Sequence, residues 1–154
     1  MREKGDEIMK RVKGGTKVIR GILATGTYNN RIQLFDGKFT TGYRISSLEF
    51  MPDDPQSSSE YLIKVSTQPK SNLAEFDWGD VEEVAWGAYN TPIASRFGTD
   101  SAIDPENMTV RDLYISAYTT GEAGFLNYML VLDKYEFAAW DGAATMIKNE
   151  SQSK

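Results

Sequence analysis

The chain has 154 residues with 17 basic and 22 acidic side chains, a net charge of −5, and neither cysteine nor histidine. This length suits one domain that buries ~68–70% of its unfolded surface without disulfides. The two missing residue types exclude a disulfide framework, a thiolate nucleophile, a Ser-His-Asp triad and an imidazole zinc ligand.

Any catalysis would therefore depend on carboxylates, lysine, tyrosine or a hard metal, and we expect a non-enzymatic protein without a cofactor. No apolar run reaches the ~18 residues of a membrane span, and no signal-peptide core precedes the domain. We expect a soluble protein with no membrane span.

The charge is unevenly distributed along the chain. Residues 1–20 carry seven Lys or Arg against three acidic residues, a local charge of +4, and the remaining residues carry −9. A basic arm on an acidic body can contact nucleic acid or a neighbouring subunit. A solvated tail is the interpretation that the charge pattern by itself favours, and the modest charge argues against direct genome packaging. The residues that we assign to such contacts are Arg2, Lys4, Lys10, Arg11 and Lys13.

The first third of the chain predicts a short helix followed by strands. MREKGDEIMKRVKGG, residues 1–15, favours a helix that ends at its two glycines. KVIRGILA (17–24) and RIQLF (31–35) predict two strands, and Asp-Gly at 36–37 predicts a tight turn. In YRISSLEFM (43–51) the apolar positions change phase after Ile45, which predicts a β-bulge.

The middle of the chain alternates polar loops with strands. Residues 52–60 predict a loop, and YLIKVST (61–67) alternates with period two, so that Tyr61, Ile63 and Val65 point inward and Lys64 and Ser66 point outward. An acidic loop then precedes a strand over 81–89. Residues 91–108 predict irregular structure with one short strand.

The last third predicts two strands, at 109–118 and 125–137, and an amphipathic helix over 138–149. Seven or eight short strands separated by turn residues predict an all-β fold, an antiparallel β-sandwich of the jelly-roll type. We divide the chain into a basic arm (1–16), one sandwich domain (17–150) and a tail (151–154). The predicted core residues are Val18, Ile63, Val65, Leu113, Ile115, Leu130 and Leu132.

The strand FLNYMLVLDKYEF has apolar residues on both faces. One face carries Leu126, Tyr128, Leu130 and Leu132, and the other carries Met129, Val131, Tyr135 and Phe137. Since large exposed apolar patches are uncommon on monomers, the second face needs a cover: the terminal helix, the arm or another chain. We expect another copy, because Tyr and Trp suit an interface with one wet edge. The predicted homo-oligomer contact is Tyr135, Phe137 and Trp140.

Three groups of side chains carry candidate chemistry. The acidic run DWGDVEE offers oxygen ligands for calcium, although a solvated loop is our preferred interpretation and we assign no metal site. Asp112 interrupts an apolar strand; we expect it on the wet face, with a buried pair to Arg111 as the alternative. Trp78, Trp86 and Tyr89 would form a sugar-stacking platform if exposed, but we prefer core or subunit contacts for each.

The order of a strand with DGKF and TTGYRI, then IDPENMTVRDLYISAY, then LNYMLVLDKYEF resembles small virion proteins, the single-jelly-roll capsid proteins of small tailless viruses. The resemblance covers roughly residues 18–137. It implies self-assembly through sandwich faces and loops, an arm that faces the interior or laces neighbouring subunits, and no catalytic residues.

We therefore expect a capsid protein of the virion that forms homo-oligomers, is assembled in the host cytoplasm and contacts nucleic acid or an acidic neighbouring subunit through the arm. A carbohydrate- or receptor-binding β-sandwich module is the alternative, and a carboxylate-only enzyme is the third class.

Overall fold

The computed structural model describes residues 9–37, 40–54, 59–71, 75–90 and 98–137, and these segments contain strands and loops without a helix. The strands are β1 (Met9–Ala24), β2 (Asn30–Ile32), β3 (Thr41–Pro52), β4 (Tyr61–Ser66), β5 (Glu83–Asn90), β6 (Gly98–Ile103), β7 (Leu113–Thr119) and β8 (Phe125–Phe137). The all-β prediction is confirmed. The predicted helix over 138–149, with Trp140, lies outside the described residues.

The strands form two antiparallel sheets. The first has three strands in the order β1-β8-β3, and the second has five in the order β2-β7-β4-β5-β6. Strand β8 is the centre of the three-stranded sheet, so both of its edges are hydrogen-bonded to neighbours. The register of β3 against β8 shifts between Ile45 and Ser47, which confirms the predicted bulge.

A shared apolar core joins the two sheets in a β-sandwich-like arrangement. The three-stranded sheet contributes Leu48, Phe50, Leu130 and Leu132, and the five-stranded sheet contributes Ile63, Val65, Tyr89, Leu113 and Ile115. Leu126, Tyr128, Leu130 and Leu132 are all buried, as predicted for one face of β8. Six of the seven predicted core residues are therefore confirmed.

Val18 is the predicted core residue that the structure contradicts, because 53% of it is exposed. It lies opposite Val131, whereas its neighbour Ile19 lies opposite the buried Leu130 and packs against the core. Successive side chains in a strand point to opposite faces, so an error of one residue in the predicted alternation assigns all the inward side chains of the strand to the outer face.

The helix predicted for residues 1–15 is wrong from Met9 onward. Residues 9–15 belong to β1, where Lys10 lies opposite Glu136 and Arg11 opposite Tyr135. The two glycines fall within the irregular register between Arg11 and Thr16, so they interrupt a strand pairing and do not terminate a helix. Residues 1–8, with Arg2 and Lys4, lie outside the described part of the chain.

Lys64 and Ser66 of β4 point away from the core as predicted, but they are buried and not solvated. The loop that precedes β5 covers them, since the Lys64 ammonium donates to the Glu75 carbonyl at 2.9 Å. The outer side of the five-stranded sheet thus carries a second, polar buried layer. The described part of the chain contains no helix with the length and apolar character that a membrane crossing requires.

Candidate functional site

The outer face of the three-stranded sheet, the side away from the five-stranded sheet, is the first candidate site. Its apolar side chains remain in contact with solvent: Val18 and Ile22 on β1, Met51 on β3 and Phe125 on β8 are all roughly half exposed. A shallow depression of about 570 Å³ lies among Arg20, Ile22, Glu49, Met51, Asn127 and Met129. This outer face therefore leaves several apolar side chains half exposed, while Met129, Val131 and Tyr135 of β8 are partly buried.

The register of the three strands arranges this outer face in rows. Arg20 on β1 and Glu49 on β3 both lie opposite Met129 on β8, so one row has a positive end, an apolar centre and a negative end. In the next row Ile22 and Met51 flank Asn127 in the same way. Sequence reasoning missed Arg20, Ile22, Glu49 and Met51, although the alternation of β1 contains this signal once Ile19 is placed inward.

Tyr135 lies on the same outer face, further along β8. It is partly buried, and the guanidinium of Arg44 lies 5.3 Å from the centre of its ring. Its predicted companions are not described: the backbone of Phe137 ends β8 but its side chain is outside the described set, and Trp140 lies outside it altogether. The predicted oligomer contact at Tyr135, Phe137 and Trp140 stays a prediction.

The basic residues predicted to contact nucleic acid or a neighbour follow the edge strand β1. The backbone of Lys10, Arg11 and Lys13 is in this strand, together with Lys17 and Arg20, and β1 contains no acidic residue. Strand β1 is an edge of its sheet, and lysines on an edge strand hinder unwanted strand pairing. The predicted contacts of these residues stay predictions.

The acidic run DWGDVEE is solvated only in part, because Asp77 is exposed and the other three carboxylates are not. Asp80, Glu82 and Glu83 are all buried, each beside a lysine: Lys70 contacts Asp80 at 2.9 Å and also Glu82, and Lys64 contacts Glu83 at 3.3 Å. Burial alone would lower the pKa of Lys70, but its hydrogen bonds to Asp80 and Glu82 outweigh that effect and raise the pKa. These carboxylates therefore hold the loop onto the sheet through ion pairs. Among the described residues, no group of three or more potential ligands is arranged to hold a metal ion.

Trp78 and Trp86 form a groove beside this cluster. Trp78 is 73% exposed, whereas Trp86 is only 7% exposed and donates its indole N–H to Glu83 at 2.9 Å. The two rings are 5.5 Å apart at an angle of 44°, and the groove of about 310 Å³ is also lined by Asp80, Val81, Ala102, Ile103, Asp104 and Pro105. Tyr89 is fully buried, which confirms the core role preferred for it, whereas the exposed Trp78 is not a core residue.

Asp112 is buried in the polar layer and not on the wet face. Its carboxylate accepts the backbone N–H groups of Leu34 and Phe35 at 2.9 and 3.0 Å, and it pairs with Arg31, not with Arg111. Burial alone would raise the pKa of Asp112, but these hydrogen bonds and the Arg31 charge lower it. Asp112 is thus a structural anchor for the segment after β2.

The chain matches no protein-family model, and a search of curated proteins finds no significant match.

Proposed function

We propose that this chain is a non-catalytic structural subunit that self-associates through the outer face of its three-stranded sheet. The observation that carries the proposal is the row of Arg20, Met129 and Glu49, beside the half-exposed Ile22 and Met51. Apolar patches that stay exposed on a monomer commonly mark contacts with another protein.

The outer face is complementary to itself. A two-fold axis parallel to β8 brings Arg20 of one copy to Glu49 of the other, because the two residues lie on opposite sides of the same central strand. The same rotation brings Ile22 to Met51 and Met129 to its own counterpart. An interface of this kind uses one patch on both subunits, which is the commonest symmetry of homo-oligomers.

The strand order supports a jelly roll as the particular sandwich. A jelly roll is a long eight-stranded antiparallel hairpin wrapped into two sheets, with strand 1 beside 8, 2 beside 7, 3 beside 6 and 4 beside 5. Here β1 pairs with β8, β2 with β7 and β4 with β5, and β3 contacts β6. The departure is β6, which hydrogen-bonds to β5 and so extends the second sheet to five strands.

The virion is the setting that we propose for this assembly. The support is the resemblance to single-jelly-roll capsid proteins, together with the self-complementary face and the basic edge strand β1. In this proposal the subunits assemble in the host cytoplasm, and Arg2, Lys4, Lys10, Arg11 and Lys13 contact the genome or an acidic neighbour.

Charge exchange tests the proposed interface. We expect the wild-type chain to be oligomeric by multi-angle light scattering and native mass spectrometry. Arg20→Glu and Glu49→Arg should each shift the population toward monomer, because each places like charges opposite one another. The double variant Arg20→Glu/Glu49→Arg should restore the oligomer. Glu122→Gln, in the exposed turn before β8, is the control and should change nothing.

A monomeric wild-type chain would contradict the proposal. Oligomers that form equally well in both single variants would place the contact on another surface. If removal of residues 138–154 creates an oligomer from a monomeric chain, that segment covers the face within its own subunit.

A binding module for carbohydrates or receptors is the second candidate function. The observation that favours it is Trp78, whose indole is largely exposed above a groove. A platform of three aromatic rings does not form, since Tyr89 is buried and Trp86 exposes little surface. Saturable binding of an oligosaccharide by a monomeric chain, lost in Trp78→Ala, would favour this function over self-assembly.

A further inference from the structure

The groove beside Trp78 is a second candidate binding site, separate from the sheet face that we propose for self-association. We propose that it binds a quaternary ammonium group, a positively charged nitrogen bonded only to carbon. The proposal is independent of the assembly interface, because the groove is lined by the loop before β5, by β5 and by the end of β6.

Two indoles provide the aromatic part of the site. The ring of Trp78 is largely exposed, and the ring of Trp86 lies beside it with the centres 5.5 Å apart and the planes at 44°, so Trp78 presents the open aromatic surface and Trp86 lines the groove with little exposed area. The hydrogen bond from Trp86 to Glu83 fixes the inner ring before any ligand arrives. Cations are attracted to the faces of indole rings, and quaternary ammonium ligands are commonly recognised by such aromatic surroundings.

The charges around the groove favour a cation. Four carboxylates lie in or beside it, Asp80, Glu82, Glu83 and Asp104, and among the described ion pairs Lys70 contacts Asp80 and Glu82 while Lys64 contacts Glu83. Among the described residues, no Lys or Arg forms an ion pair with Asp104, which lies partly exposed at the edge of the groove. Asp104 therefore places a negative charge at the edge of the groove beside its aromatic surface.

The hydrogen bonds already made inside the groove distinguish between possible cations. Asp80 accepts from Lys70 and from the Glu82 N–H, Glu83 accepts from Lys64 and Trp86, and one oxygen of Asp104 accepts the Glu106 N–H at 2.9 Å. A guanidinium needs two adjacent carboxylate oxygens for its paired donors, and a sugar needs several directed hydrogen bonds. A quaternary ammonium group needs no hydrogen bond, because the faces of aromatic rings and nearby negative charge are sufficient to bind it.

The volume of the groove is sufficient for a small ligand that carries a quaternary ammonium group. At about 310 Å³ it lies at the lower end of the range of ~300–1,000 Å³ that is usual for small-molecule pockets. Val81, Ile103 and Pro105 add apolar surface that would contact the methyl groups of the ligand.

The test uses tetramethylammonium chloride as the probe and the full chain labelled with ¹⁵N-tryptophan. The indole N–H signals report binding directly, and a Trp78→Phe variant assigns the signal of Trp78. We expect a saturable shift of the Trp78 and Trp86 signals that sodium chloride at the same ionic strength does not produce. Trp78→Ala should abolish the shift of Trp86, and Asp104→Asn should weaken binding about fivefold, as expected for loss of one charge beside a cation–π site.

Phe76→Ala is the matched control, because Phe76 is another exposed aromatic of the same loop and does not line the groove. It should bind the probe like the wild type. Choline and a trimethyllysine peptide, titrated separately, distinguish a free small molecule from a modified protein as the source of the group. The absence of a saturable shift, equal binding by Trp78→Ala, or saturation by an oligosaccharide but not by tetramethylammonium would overturn the proposal.

Discussion

For a single charged residue such as Asp112, the local sequence pattern does not predict whether the side chain is buried or which residue it pairs with. Asp112 stands in an apolar stretch whose pattern favours the wet face, but its ion-pair partner, Arg31, is 81 positions away in the chain. The nearest cation in sequence, Arg111, is not the partner, because adjacent residues of an extended segment point in different directions. Only the pairing of β2 with β7 brings Arg31 and Asp112 together.

Replacing Asp112 with asparagine tests this anchor. Asp112→Asn removes the charge that Arg31 and two backbone N–H groups stabilise, and we expect a loss of ~1–3 kcal/mol in the free energy of unfolding at neutral pH. Arg31→Gln should cost less, since Arg31 is largely exposed and solvent screens its charge. Urea denaturation of both variants and of Glu122→Gln, the exposed control, measures the difference.

The effect of Asp112→Asn on the free energy of unfolding should depend on pH. Because the pKa of Asp112 is lower in the folded chain than in the unfolded one, its contribution is present above the unfolded pKa and is lost as pH falls through the folded pKa. The difference in unfolding free energy between the wild type and Asp112→Asn should therefore shrink in acid. A difference that is constant from neutral to strongly acid pH would contradict the assigned role of this carboxylate.

At the level of elements, the sequence predicted what depends on local alternation. The inward face of β4, the buried face of β8 and the bulge in β3 all follow from apolar spacing, and all are confirmed. The start of β1 at Met9 and the burial of Lys64 depend on distant partners, β8 and the loop before β5. The groove beside Trp78 could not be predicted for the same reason, since Asp104 reaches it from the end of β6.

The contact between the two sheets can be tested at Gly87 on β5. A Cβ at this position would lie 2.3 Å from a ring carbon of Phe50 and 2.8 Å from a methyl group of Ile63. Both neighbours belong to the packed core, so Gly87→Ala should destabilise the chain by ~1–3 kcal/mol, as overpacking does. Gly124→Ala, whose Cβ would lie 3.3 Å from the Tyr61 hydroxyl, is the milder control. Equal denaturation midpoints for the two variants would mean that the sheets separate easily here.

For the whole molecule, two surfaces on opposite sheets have different chemistry. The outer face of the three-stranded sheet is apolar with one positive and one negative edge, and the groove on the five-stranded sheet is aromatic and acidic. In the proposed assembly the first surface forms the contact between subunits, and the second remains accessible. Substitutions on one surface should therefore leave the function of the other intact.

Trp140 provides the test at this scale. We predict that Tyr135, Phe137 and Trp140 extend the oligomer contact beyond the row of Arg20 and Glu49, because Tyr135 lies on the same face of β8. Trp140→Glu would place a charge in an apolar contact that excludes water, so we expect a folded monomer by light scattering, with the far-ultraviolet circular dichroism of the wild type. Trp78→Glu, on the other sheet, is the matched control and should stay oligomeric. If Trp140→Glu instead unfolds the chain, residue 140 covers its own subunit, and the prediction that the contact extends to Trp140 is wrong. The proposed contact between Arg20 and Glu49 would still stand, because the charge-exchange variants test it separately.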